Sequence, residues 1–180
     1  IRDSSLVIVS SIVVATCHAM TCTELRFPLH CADWTLQSED ADWAHRTFHH
    51  CDGDPQTLLN TFNAFQQFTT DGGDGHAFCS QWFLHHRSMQ QAGNIRQQLK
   101  TALKKLGYKS TGTPGNDPTY WPNIAKAYTA GHFMQVAYAE QPGNALKQPQ
   151  VCSLHHQLTI GISPKSSLTK LATWVVYDQI

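Results

Sequence analysis

The sequence is poor in charged residues and carries no excess of either sign. Only 14% of its 180 residues are charged, and 13 Lys or Arg residues balance 13 Asp or Glu residues. A neutral chain has no global basic field that would recruit nucleic acid, so any nucleic-acid contact must be local. The length allows one ordinary domain or two small ones.

The cysteines lack the spacing of a metal site or a disulfide framework. None of the six, at positions 17, 22, 31, 51, 79 and 152, forms a C-x-x-C pair. The group Cys17, His18, Cys22, His30 and Cys31 has metal-binding side chains, but its gaps do not match paired zinc knuckles. We therefore predict reduced cysteines and no metal site. A secreted, cysteine-rich protein is the alternative.

Long hydrophobic runs are also missing. The longest, Leu6–Val14, is too short to span a bilayer, so no membrane association is predicted. A buried helix or strand is favoured for this run, and a secretory signal peptide is the alternative, although only Arg2 supplies a preceding charge. Because the chain begins at Ile1 and not at Met, we expect it to be part of a longer protein.

Motifs for nucleotide or covalent chemistry are absent. The chain contains no G-x-x-x-x-G-K-[ST] phosphate-binding loop, so we expect it not to hydrolyse ATP by itself. Ser167-Leu-Thr-Lys170 matches S-x-x-K but lacks the companion motifs of that hydrolase class. The sequence has three pairs of adjacent histidines, His49-His50, His85-His86 and His155-His156. Adjacent side chains point in different directions on helices and on strands, so these pairs do not predict a metal or acid-base site. No catalytic residue is predicted.

The first part of the chain has helical patterns. We expect residues 17–38 to be irregular and Asp40–His49 to form a short helix. Asp54 and Pro55 suit the N-cap and first position of an amphipathic helix that reaches about Phe68. Residues 69–75 are expected to form a surface loop and not a calcium site, because the loop lacks the remaining oxygen ligands of an EF-hand. A helical stretch is expected at 78–86 and a short helix at 120–130.

The longest helix is predicted after Arg87. Ile95, Leu99, Leu103 and Leu106 recur at helical spacing, and Gly107 suits a left-handed stop. Arg96, Lys100 and Lys104 repeat every four residues beside this apolar stripe. The pattern predicts a basic ridge next to a buried face, which is either a phosphate-contacting surface or an ordinary solvated face.

Strand patterns follow the last glycine of the helical part. The segments 133–139, 151–162 and 174–177 are rich in β-branched and aromatic residues and are separated by turn sequences. We therefore predict an α+β chain with a helical bundle at 1–131 and the first strands of a small barrel at 132–180.

Seven segments, in this order, resemble the C-terminal region of the DEAH-box RNA helicases, nearest to the Prp43 type. They cover roughly residues 40–180, whereas 17–38 does not follow the family. The segments are Asp52–Asn60 with Asn63–Phe65, Cys79 with Leu84–Met89, Ala92–Leu99, Asn123-Ile124 with Lys126-Ala127, Gly131–Ala137, Ser163-Pro164 with Ser166–Leu168, and Trp174–Tyr177.

The resemblance implies a ratchet-like helicase-associated domain followed by an OB-fold, without the ATPase core. In such helicases two RecA-like domains use ATP and Mg²⁺ to translocate on RNA during splicing or ribosome biogenesis. The implied partners are RNA, the RecA-like domains of the parent chain and G-patch-type cofactors. The implied location is nuclear, in the nucleoplasm or nucleolus, with a cytoplasmic pool as a further option.

The resemblance also implies the site residues. RNA contact would come from Arg87, Arg96 and Lys100, which supply charge directed at phosphates. Four local departures put individual contacts in doubt, at Pro55, the pair His85-His86, Ala125 and Ser163. The alternative function is a non-catalytic, protein-binding adaptor with the same fold.

Overall fold

The computed structural model describes residues 34–108, 112–139, 143–144, 150–153, 159–162, 166–171 and 173–177. Within these ranges the helices come first and antiparallel strands follow, which confirms the predicted α+β class. The apolar run Leu6–Val14 and the Cys17–Cys31 group lie outside the described residues. None of the described helices is long and apolar enough to cross a membrane.

The described residues of the first part form five α-helices. They are α1 (Trp34–His45), followed by a 3₁₀ turn at Arg46–Phe48, α2 (Asp54–Thr70), α3 (Gly75–Gln81), α4 (His86–Lys105) and α5 (Tyr120–Gly131). The prediction of irregular structure was wrong for residues 34–38, which belong to α1. The twelve residues of α1 include no Gly or Pro, so nothing in that stretch interrupts a helix.

The helical core is built around one face of α2. Phe62 is fully buried there, and Phe65 is 7% exposed. Each buried aromatic or aliphatic side chain contributes roughly 1.5–3 kcal/mol to folding, which is the main stabilisation available to a small helical unit. The buried members of this cluster are Phe48, Phe62, Phe65, Phe78, Cys79, Leu84, Met89 and Ala92.

The predicted helical stretch at 78–86 is broken. Helix α3 ends at Gln81, and Phe83 adopts a positive φ of 52°, which is uncommon for a residue with a side chain. This conformation lets Leu84 N–H donate to the Cys79 carbonyl at 2.8 Å and brings Leu84 into the core. His85 then caps α4, because its side chain accepts from the backbone N–H of Ser88.

The loop predicted between α2 and α3 contains a helix cap. Asp74 accepts from the backbone N–H groups of His76 at 3.0 Å and Ala77 at 3.3 Å. The hydrogen bond from His76 is the main reason that the pKa of Asp74 lies below its usual value. The carboxylate of Asp74 therefore serves as the N-terminal cap of α3.

Helix α4 ends as predicted, but its apolar stripe is less buried than expected. Gly107 follows the helix with a φ of +82°, which a glycine adopts without strain. The buried residues of α4 are Ser88, Met89 and Ala92, all in its first two turns. Leu106 is 71% exposed, so the prediction of a continuous buried face was wrong at the C-terminal end.

Among the described residues beyond Gly131, the strands form two antiparallel sheets. The strands are β1 (Val136–Ala139), β2 (Gly143–Asn144), β3 (Gln150–Ser153), β4 (Thr159–Gly161), β5 (Lys170–Leu171) and β6 (Trp174–Val176). One sheet has the order β4-β3-β1-β6, and β2 pairs with β5. The segment predicted as one strand at 151–162 therefore contributes two strands, and the β2–β5 pair was not predicted.

One face of the larger sheet is packed. Ala137 is fully buried on β1, opposite Ser153 of β3 and Val175 of β6. Ile162, Leu168, Val175 and Tyr177 pack against it. The small side chain of Ala137 is thus covered by side chains from β6, from the residue that follows β6 and from the segment between β4 and β5.

Candidate functional site

Positive charge is concentrated in one stretch of this neutral chain. Residues 75–116 contain six Lys or Arg residues and no Asp or Glu. Five of the six lie on α4, at Arg87, Arg96, Lys100, Lys104 and Lys105. Helix α4 therefore carries five positive charges and no carboxylate, although the chain as a whole is neutral.

The basic residues of α4 occupy two sides of the helix. Successive residues turn by about 100°, so Arg96, Lys100 and Lys104 lie within about 80° of one another. Arg87 precedes Arg96 by nine residues and therefore projects about 180° away from it. The structure groups two of the three predicted site residues, Arg96 and Lys100, and places Arg87 on the opposite side.

Arg96 is held against α2. Its Nη1 donates to Gln66 Oε1 at 2.7 Å, and its Cζ lies 5.6 Å from the centre of the Phe62 ring. The guanidinium group has five N–H donors, and this hydrogen bond uses one of them. Arg96 is therefore oriented by packing while it keeps donors for an anion such as a phosphate.

Lys100 and Arg87 are both exposed. Lys100 lies one turn beyond Arg96 on the same side, so the two cations can face consecutive phosphates of one strand. Arg87 shares its side of α4 with Lys105 and with the exposed polar side chains of Asn94, Gln98 and Thr101. A ligand that contacts all three predicted residues would have to wrap around the helix.

A second polar feature joins the helical part to the strand part. We call the side chains of Asp54, Thr57, Ser166 and Ser167 the polar clasp. Asp54 Oδ1 accepts from Ser167 N and Ser167 Oγ at 2.7 and 2.9 Å, and Asp54 Oδ2 accepts from Ser166 Oγ at 2.7 Å. Thr57 Oγ1 lies 2.8 Å from Ser167 Oγ. Residues 110 or more positions apart in sequence are thereby connected.

Asp54 was predicted to be the N-cap of α2, and this prediction was wrong. The N-cap of α2 is Gly53, with no side-chain cap hydrogen bond, and Asp54 is the first helical residue. The carboxylate of Asp54 does not cap its own helix and instead accepts hydrogen bonds from the two serines. Gly53 has a φ of +124°, a conformation that residues with a side chain rarely adopt.

The two described free thiols differ in their surroundings. Cys51 is exposed, and Cys79 is buried in the helical core. Burial raises the pKa of Cys79 to about 11, with a smaller contribution from the negative charge of Asp74. The thiol of Cys79 is therefore protonated at neutral pH and belongs to the core.

Comparison with known proteins finds similarity to an RNA helicase. No protein-family model matches the chain. A mouse protein named "Putative pre-mRNA-splicing factor ATP-dependent RNA helicase DHX32" is 30% identical to it over 140 residues. The similarity supports the DEAH-box RNA helicase family. It does not distinguish the Prp43 type within that family.

The match covers different shares of the two proteins. It includes 74% of this chain but only 18% of the mouse protein. The chain therefore spans less than one fifth of the length of this relative. The similarity concerns that one region and carries no direct information on the activity of the remainder.

Proposed function

We propose that this chain is an accessory region of a DEAH-box RNA helicase and that helix α4 contacts RNA phosphates through Arg96 and Lys100. The observation that carries the proposal is the acid-free basic helix within a chain similar to a helicase. Phosphate contacts supply affinity without reading sequence, which suits an enzyme region that must bind any RNA moving past it. Arg87 would contact a separate part of the strand.

The proposal extends to the parent protein. We infer that its RecA-like domains bind ATP and Mg²⁺ and pack against this region, and that this chain alone does not hydrolyse ATP. The strand part would be the beginning of an OB-fold, and the helicase would be of the Prp43 type. Nuclear RNA remodelling, in splicing or ribosome assembly and assisted by G-patch-type cofactors, is the proposed setting.

The test is a charge reversal on one side of α4. We expect Arg96→Glu combined with Lys100→Glu to weaken binding of a single-stranded RNA about tenfold or more at low salt. The plot of log affinity against log salt concentration should become shallower, its negative slope decreasing in magnitude by about 1.4, because each single-strand phosphate contact contributes about 0.7. Fluorescence anisotropy with a labelled oligonucleotide, repeated at several salt concentrations, measures both quantities.

The matched control reverses two exposed cations elsewhere. Arg46→Glu with Lys126→Glu changes the net charge equally, but on α5 and on the turn after α1. If both double variants lose affinity equally, the effect is one of net charge and the assignment to α4 is wrong. Unchanged affinity in the α4 variant would favour the protein-binding adaptor instead.

A further inference from the structure

Three side chains with metal-binding atoms come together in the turn before α2. His50, Cys51 and Asp52 each offer one ligand atom, and these atoms all lie within 4.8 Å of one another. Cys51 Sγ is 3.7 Å from Asp52 Oδ1, and His50 Nδ1 is 3.7 Å from Asp52 Oδ2. The usual zinc sequence motifs consist of two ligand pairs, each pair separated by a few residues, so they do not include three consecutive ligands.

These separations are close to those between the ligands of a tetrahedral ion. Bonds of roughly 2.0–2.3 Å from Zn²⁺ to nitrogen, oxygen and sulfur at tetrahedral angles place ligand atoms about 3.3–3.8 Å apart. Cys51 Sγ lies 3.7 Å from Asp52 Oδ1, which is within this range. His50 Nδ1 lies 3.7 Å from the other carboxylate oxygen, Asp52 Oδ2, which is slightly more than a nitrogen–oxygen pair around Zn²⁺ requires. Asp52 N also donates to His50 Nδ1 at 3.3 Å, so an ion bound at this nitrogen would replace that hydrogen bond and draw the side chains of Asp52 and Cys51 closer.

The turn is held from both sides by contacts that do not use the ligand atoms. His50 N donates to Thr57 Oγ1 at 2.9 Å, and the His50 ring lies 4.2 Å from the Trp121 ring. The Cys51 carbonyl accepts from Thr169 N at 3.4 Å. Ligands on a fixed backbone lose little entropy when they bind an ion, so affinity is gained without new contacts.

We propose that His50, Cys51 and Asp52 form a binding site for a zinc-type divalent cation, with water completing the coordination. The side chain of Asp52 is 58% exposed and that of His50 is 18% exposed, so the ion would reach the site from solvent. Binding forms a bond from the metal to the Cys51 thiolate, and the thiol proton passes to solvent. This site is independent of the proposed RNA contact on α4.

Cobalt(II) titration tests the site directly. The protein would be the full chain with Cys17, Cys22, Cys31 and Cys152 changed to Ser, which leaves Cys51 and Cys79. We expect a thiolate-to-cobalt charge-transfer band that saturates at one ion per chain and is abolished by excess Zn²⁺. Cys51→Ser should remove the band, and His50→Gln or Asp52→Asn should weaken cobalt binding about tenfold or more.

Alkylation of the unmodified chain gives a second measurement that does not depend on these substitutions. Zn²⁺ should slow the reaction of Cys51 with iodoacetamide and leave the buried Cys79 unreactive with or without the ion. A missing charge-transfer band, a band that persists in Cys51→Ser, or alkylation of Cys51 that Zn²⁺ does not slow would overturn the proposal.

Discussion

Phe62→Ala is expected to lower the free energy of unfolding by about 3–5 kcal/mol. Phe62 is 0% exposed at the centre of the helical core, so its loss leaves a cavity that the neighbouring rings cannot fill without moving. The total free energy of unfolding of a small domain is only about 5–15 kcal/mol, so the substitution would remove a large part of it. Urea denaturation followed by circular dichroism measures the change.

The control for this variant is Trp43→Ala. Trp43 is equally aromatic but 73% exposed, so its removal should change the free energy of unfolding by about 0.5 kcal/mol or less. Similar losses in the two variants would show that the core does not lie where the structure places it. Phe62→Leu should lie between them, since it keeps most of the buried volume.

Asp54→Ala is expected to open the polar clasp and to cost about 1–3 kcal/mol. The carboxylate accepts three hydrogen bonds from Ser166 and Ser167, and Ser167 is only 5% exposed. Loss of the carboxylate leaves the backbone N–H of Ser167 without this acceptor. A donor that has lost its partner costs more free energy than the removal of both partners of a hydrogen bond. Hydrogen exchange should show faster exchange at residues 166–169, with the helical core unchanged.

Two companion variants make this result specific. Ser167→Ala removes one hydroxyl but keeps the backbone donor paired with Asp54, so a smaller loss is expected. Asp71→Ala removes an exposed carboxylate that accepts from Gln67 one turn away, and should have little effect. Equal exchange at 166–169 in wild type and Asp54→Ala would contradict the clasp.

The sequence predicted the features that depend on local chemistry. The helical end at Gly107 was predicted correctly, since a glycine there adopts a left-handed φ that other residues avoid. The order of helices before strands followed from periodicity, which changes after Gly131. The α+β class was therefore accessible from pattern alone.

The errors arose where distant residues decide the local structure. Asp54 suits an N-cap by every local rule, yet its carboxylate binds serines more than 110 positions away. The exposed end of α4 was predicted to be buried because periodicity marks an apolar face without showing whether anything covers it. The β2–β5 pair involves two-residue strands that carry no periodic signal.

The site residues remain a prediction, but the sequence gives the positions of their side chains around α4. The four-residue repeat of Arg96 and Lys100 placed both cations on one side of α4, and helical geometry keeps them there. The resemblance to the helicases added Arg87, which the geometry of the helix places on the opposite side. A count of charges over 75–116 would have identified α4 as the basic element without any structure.

Photo-crosslinking of the chain to a 4-thiouridine RNA tests the proposed function most directly. Mass spectrometry of the crosslinked peptides shows where the strand lies, independently of affinity. We predict that crosslinks concentrate on α4 around Arg96 and Lys100 and disappear as salt is raised. Crosslinks confined to other elements, or RNA binding insensitive to salt, would contradict the account.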